Sequence, residues 1–382
     1  GLAAHSCKRA RLDHGGSRGM TQHLELSAAL RRDFALHRDF LWGLCYRMTG
    51  SAADAEDLVQ DTFERALRTP PQDAQTSLRP WLSRVAVNLS CDHLRRRKLQ
   101  PYRGTWLPEP VHTQRLQRGA DITPPAPAHA DARYELLEST TYAFLLALEA
   151  LSPKERAVLL LRDVFDYSVR EAAEALEQSE ANIKTVLHRA RQHMADYDKN
   201  RCVPNASRAE RTERAIKRFV LHLAADNVRG IEALLREDVL ELTDPGEFVA
   251  ARKMLFGRSK VSLFARKVTR LVDTGGKPGR MQITSINGLP ALLCEVEPPR
   301  TDFAPRQLFL LDVDEEGKVT RMYAVLATSK LRQLDFSGLR GVSRLVESVL
   351  RVVRAGFRLL QRPEQRLSKH IQVHPRSRAR PR

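Results

Sequence analysis

The chain lacks any apolar run long enough to cross a bilayer, which takes about 20 residues. Its N-terminus lacks the apolar core of a signal peptide. Cysteine is scarce: Cys7, Cys45, Cys91, Cys202 and Cys294 are scattered, with no Cys-x-x-Cys pair. That argues against a disulfide framework or a thiolate zinc site and for a reducing, cytoplasmic setting. The 12 histidines show no ligand spacing with cysteine or acid, so neither a metal nor a cofactor is expected. Acid is short relative to base, 46 Asp and Glu against 63 Lys and Arg, giving a formal net charge of +17 and a pI near 10.1. An excess of that size suits a polyanionic partner, nucleic acid or an anionic membrane surface. What is present is a hydrophobic fraction of 42%, enough for real cores, and 382 residues, a length that favours about two or three domains.

The most informative stretch is Ser152–Asp196. Ser152 and Ser168 each stand three residues before a glutamate, Glu155 and Glu171, the spacing of a capping box. Pro153 takes the first helical position, where its missing N–H costs nothing. Ser179 opens a third helix after only Glu177-Gln178, so the last two helices must pack at a steep angle. Ala173 permits close crossing, and Ile183 and Val186 give the third helix a buried side. Its other side carries Asn182, Lys184, Thr185, His188, Arg189 and Arg191. A short helix presenting amide, hydroxyl and guanidinium groups is what major-groove reading requires. Glu177 stands where such a turn usually has glycine, so a longer turn or tolerated strain is expected there.

Before this stretch, residues 1–24 read as a disordered extension, with Met20 heading the first patterned segment. Ser27–Arg47 has helical apolar spacing, and Gly50 ends it. Ser51 caps a second helix, Ala52–Arg68, apolar at Ala55, Leu58, Val59, Phe63, Ala66 and Leu67 and acidic on its other side. After a proline-containing loop, Thr69–Ser77, a third helix covers Leu78–Lys98. Asn88, Asp92 and His93 lead into Arg95-Arg96-Arg97-Lys98, a cation run that fits phosphate binding better than helix capping. Trp81 reads as core. Residues 99–131 hold six prolines and little periodicity, the pattern of an extended linker. A further helix from about Arg133 to Leu151 leads into the helix-turn-helix, which closes at 198.

DAEDLVQDTFERAL at 54–67, WLSRVAVNLSCDHLRRRK at 81–98 and ALSPKERAVLLLRDVFDYSVREAAEAL with SEANIKTVLHRAR across 150–191 resemble a bacterial RNA polymerase sigma factor. The type is the extracytoplasmic-function (ECF) branch of the sigma-70 family, which keeps only regions 2 and 4. The resemblance makes 25–98 the region 2 helical domain and 132–198 the region 4 helix-turn-helix domain. It implies that Asp57, Leu58, Gln60, Asp61 and Phe63 dock on the clamp helices of core RNA polymerase, with region 4 at the flap. It implies that Asn88, Asp92, Arg95 and Arg96 engage a promoter −10 element, with a flipped base received by Thr69–Ser77. Asn182, Lys184, Thr185, His188 and Arg189 would read the −35 element, with Arg191 on the same side.

The second half opens with a helical stretch, Ala206–Leu235, broken at Asp226-Asn227. A strand, Val239–Thr243, follows, then helices over Glu247–Phe256 and Val261–Val272. Four strand-like runs come next: Met281–Ile286, Leu289–Glu297, Gln307–Val313 and Val319–Ala327, with Asn287-Gly288 a strong hairpin signal. Helices followed by an antiparallel meander make an α+β layout. Residues 206–332 resemble the SnoaL-like branch of the NTF2-like fold, a cone-shaped domain that some ECF sigma factors carry. Those relatives have DGGGK-type and NPDKL-type motifs; here the stretches read TDPGE at 243–247 and ATSKL at 327–331. The fold also serves isomerases, which pair an acid base with an oxyanion donor. Asp244 or His222 are the side chains to consider, but a turn acid and a helix-face histidine are the plainer readings, and no enzyme is expected. Residues 333–382 form a basic tail with an amphipathic helical pattern across 345–360, suited to packing on the protein or polymerase; stable membrane insertion is not expected.

The expected architecture is multidomain: an all-α N-terminal half followed by the NTF2-like cone. The expected function is promoter recognition and melting with core RNA polymerase, the second half regulating it within the molecule. The alternative is a one-component DNA-binding regulator with a ligand-sensing NTF2-like domain. The acidic helix face over 54–63 favours the first.

Overall fold

The computed structural model describes residues 36–69, 78–100, 102, 104–121, 132–248, 254–273, 279–298 and 300–341. The expectations for 1–24, the start of the first helix, most of Thr69–Ser77 and the tail helix lie outside these residues.

Helix α1 spans 36–49, α2 Ala52–Arg68 and α3 Leu78–Lys98. Gly50 turns the chain between α1 and α2 at φ +70°, and a Cβ there would run into the Trp106 indole. Ser51 caps α2 by accepting from Asp54 N. The expected helix from 133 to 151 is broken: a 3-10 turn at Glu138–Thr140, α5 at Tyr142–Ala147 and a second 3-10 turn at Leu148–Ala150. Both predicted capping boxes form, at the starts of α6 (Pro153–Leu159) and α7 (Val169–Leu176). Helix α6 runs on into a π-helical turn, Leu160–Val164. Glu177 adopts the left-handed conformation at φ +50°, and Gln178 N bonds back to Ala173 O. Helix α8 (Glu180–His193) follows, then α9 (Ala195–Lys199).

Residues 36–69, 78–100 and 134–202 build one hydrophobic core, from Leu41, Leu44, Tyr46 and Phe63 to Leu159, Leu161, Ile183 and Val186. The second half is the expected α+β cone. Helices α10 (Ala206–Ala224) and α11 (Val228–Leu234) precede β1 (Leu235–Asp244). Next come β2 (Leu255–Phe256), α12 (Arg258–Asp273), β3 (Arg280–Ile286), β4 (Leu289–Glu295), β5 (Arg306–Val313) and β6 (Val319–Val325). The chain continues through α13 (Thr328–Leu331) to β7 (Arg340–Gly341). The sheet order is β2-β1-β6-β5-β4-β3-β7, with β1 and β6 parallel. The helix expected over 247–256 is not found in its described part: Leu255 and Phe256 pair antiparallel with β1, and their backbone groups satisfy its edge. Asn287 and Gly288 take φ +50° and +86°, the two left-handed residues of a tight hairpin between β3 and β4. One sheet face packs on α10, α11 and α12; the other holds Leu107, Tyr142, Leu331 and Phe336.

Leu107 belongs to the supposed linker, and here the structure corrects the sequence reading. Residues 104–117 are docked, with Leu107, Val111 and Leu116 buried, and Thr113–Asp121 forms a helix, α4. The prolines keep the segment from joining a longer helix, yet its apolar side chains fill the junction between the two halves.

Candidate nucleic-acid interface

On α2 the acids divide by role. Asp54 pairs with His93 at 3.1 Å, and the His93 hydrogen bond holds its carboxyl below the usual value. Glu56 is taken by Arg38 and Arg115. Asp57, Gln60 and Asp61 are exposed. Leu58 and Phe63 are buried in the core, so they set the helix's position rather than offer contact surface.

On α3, Asn88, Asp92, Arg95 and Arg96 are all exposed and recur at helical spacing on one side. Arg95 pairs with Asp92 at 2.6 Å. Arg97 departs from the cation run. It donates to Thr49 O at 2.6 Å and to Glu149, and lies 4.3 Å from the Trp106 ring centre. The outward cations of the run are therefore Arg95, Arg96 and Lys98.

On α8, Lys184, Thr185, His188 and Arg189 are exposed, and Asn182 is half-buried against Gln178. Arg191 differs: it grips the fully buried Asp163 with two bonds, at 2.9 and 2.7 Å, and the bond to Asp163 raises its pKa. It braces α8 against the preceding turn rather than joining the open face.

The two helical modules touch. Tyr167 OH lies 2.9 Å from Ser83 Oγ, Arg84 pairs with Glu177, and Phe40 meets Phe165 edge-on at 5.1 Å. Arg156, almost wholly buried, donates to Met48 O.

The tether and the cone hold this arrangement at two places. At the hairpin tip, buried Asn287 accepts from Val111 N at 2.9 Å and donates to Tyr46 OH and Thr140 O at 2.7 Å each. One amide thus joins the tether, the first module and the second. At the end of β1, Asp244 is fully buried, not a surface acid. It accepts from Tyr102 OH at 2.6 Å, Leu107 N at 3.0 Å and Lys330 Nζ at 2.6 Å. Four donors with Gly246 N satisfy the carboxylate. Lys330 also donates to Leu107 O and lies 4.6 Å from the Trp106 ring centre; burial lowers its pKa, and Asp244 opposes this. Asp244 and Lys330 come from the two stretches 243–247 and 327–331, and they are paired across the fold. His222 is half-buried at the end of α10 beside Asn227, and is not among Asp244's partners. The tether answers with Glu109, whose carboxylate accepts from Ser51 Oγ and Ala53 N at the start of α2. The sequence marks Asn287 only as a turn residue and gives no sign of Glu109, Tyr102 or Lys330 at this junction; a polar side chain in an otherwise apolar junction has no local signature.

No described helix is long and apolar enough to span a membrane, and no described cluster of His, Cys, Asp and Glu could hold a metal ion.

Residues 34–100 match the family Sigma-70 region 2, and 142–194 match Sigma-70, region 4. The ECF RNA polymerase sigma factor SigJ of Mycobacterium tuberculosis is 31% identical over 261 residues, 67% of this chain and 78% of SigJ. SigI of the same organism is 28% identical over 324 residues, 82% of this chain and 98% of SigI. The crystal structure of M. tuberculosis SigJ superposes with a TM-score of 0.57 at 28% identity, covering 79% of this chain and 98% of that one.

Proposed function

The chain belongs to the extracytoplasmic-function sigma factors, and on that premise we propose that it carries core RNA polymerase to a −10 and a −35 element and promotes melting, while its cone restrains this activity by holding the tether. Core binding falls to the outward side of α2, with Asp57, Gln60 and Asp61 as its charged and polar contacts. Asn88, Arg95 and Arg96 act at the −10 element, and Lys184, Thr185, His188 and Arg189 at the −35 element, in the cytoplasm.

The observation that carries the restraint is the single core shared by the two modules. A compact body of about 160 residues has a radius of gyration near 15 Å, so its surface points lie no more than about 40 Å apart. Promoter boxes centred about 25 base pairs apart stand roughly 85 Å from each other along the duplex. One closed body does not reach both. The modules must separate, and separation requires Asn287 and Asp244 to release the tether.

The test is transcription in vitro with core enzyme on a promoter library, comparing the natural chain with Asn287→Gly. The expected result is initiation by both at the same promoter class, stronger for the variant. Absence of initiation at every promoter by both overturns the sigma-type activity, and equal output overturns the restraint.

A further inference from the structure

Asp244 has a counterpart on the other face of β1. Glu241 pairs across the sheet with Met322, which pairs with Leu311. Thr243 lies in line with Ala324, Phe309, Leu292 and Ile283. Residues opposite each other in neighbouring strands share a face, and this face is the one turned toward α10, α11 and α12. Its polar positions are Glu241 and Thr243 on β1 and, farther across, the half-buried Gln307 in line with Cys294 and Met281. Glu241 is 6% exposed and Thr243 3%. Glu241 Oε2 and Thr243 Oγ1 have no hydrogen-bond partner among the described residues. Buried polar atoms normally have partners, and one left without costs about 1–3 kcal/mol. Here two stand on adjacent same-face positions of one strand. Farther across the same face, Phe309, Ile283 and Met281 are only half-buried although they point inward.

We propose that this inner face binds a largely apolar small molecule through one hydroxyl group, held between Glu241 and Thr243. A hydroxyl both donates and accepts, so it serves the Glu241 carboxyl in either protonation state and the Thr243 hydroxyl beside it. Burial pushes the Glu241 carboxyl up to about 7; the Thr243 hydroxyl is near enough to pull it back down, though without a hydrogen bond of good geometry, and no charged neighbour contributes. The site therefore favours a neutral polar group over a cation. Met322, Leu311, Phe309 and Leu292 supply the apolar wall for the rest of the molecule.

The test uses the full chain and 2-naphthol, an apolar bicycle with one hydroxyl and its own fluorescence. The natural chain is expected to bind it saturably and to unfold at a higher temperature in its presence. Glu241→Met keeps the volume, removes the vacant acceptor and is expected to bind roughly tenfold more weakly. Thr243→Val is expected to weaken binding by a smaller factor. No saturable binding, the outcome if water alone fills the site, overturns the proposal; so does binding by both variants as tight as by the natural chain. The measurement involves neither polymerase nor DNA, so its failure is separate from failure of the transcription reading.

Discussion

Strand β1 carries two buried acids three residues apart, and they face opposite ways. Asp244 looks toward the tether and has four donors. Glu241 looks into the cone and has a vacant oxygen. The same sheet thus satisfies polar groups completely where they join it to the rest of the chain, and leaves them unsatisfied where it faces its own helices. A satisfied buried network fixes one arrangement of the parts around it. An unsatisfied one lowers stability, which is tolerated where another use offsets the loss.

The largest effect is expected from Asp244→Ala. It leaves Lys330, 13% exposed, as a buried cation without its carboxylate and frees Leu107 N. A loss of about 3–5 kcal/mol is expected, read by denaturant unfolding. If the loss is below 1 kcal/mol, the two faces of β1 do not differ in the way described.

Next is Glu241→Met, expected to act in the opposite direction. The folded state raises the Glu241 pKa from 4.5 to about 7, so it binds the proton more firmly than the unfolded chain. Its contribution is therefore most favourable below pH 4.5 and is lost as the pH rises through 7, a change of roughly 3 kcal/mol. The variant should be more stable than the natural chain at pH 8, with the gap shrinking toward pH 4. Thermal unfolding across that range measures it.

A third, smaller effect is expected from Asn287→Gly. Glycine keeps the left-handed turn but removes three side-chain bonds, for a loss of about 1–3 kcal/mol and faster hydrogen exchange at Val111. The smallest effect separates two neighbours on α8. Arg191→Ala should cost about 1–2 kcal/mol by leaving Asp163 unpaired, discounted because solvent reaches the guanidinium. Arg189→Ala should leave stability within about 0.5 kcal/mol and weaken −35 recognition.

These contrasts also show what was legible in advance. Capping boxes, the Asn287-Gly288 turn and the outward set on α8 are local patterns, and each follows from residues within a few positions of one another. The partners of Asn287 lie 147, 176 and 241 residues away, and no local pattern encodes them. Asp244 reads as a turn acid because it sits beside Pro245-Gly246, yet its burial comes from Tyr102 and Lys330 at a distance. Arg191 falls at the edge of the outward face, and only Asp163, 28 residues earlier, turns it inward. In β1 the alternation of Leu240 and Leu242 with Glu241 and Thr243 suggests an apolar inside and a polar outside. Both sides are covered in the fold, so the polar side became the inner one.

Trp106 lies between cations from the two halves, Arg97 on α3 and Lys330 on α13. It is one of 3 tryptophans in the chain. Parting the modules from the cone strips both cations from the indole and hands it to water, which shifts its emission to longer wavelength. With Trp42 and Trp81 replaced by phenylalanine, the protein would report its own opening by colour, without any attached dye.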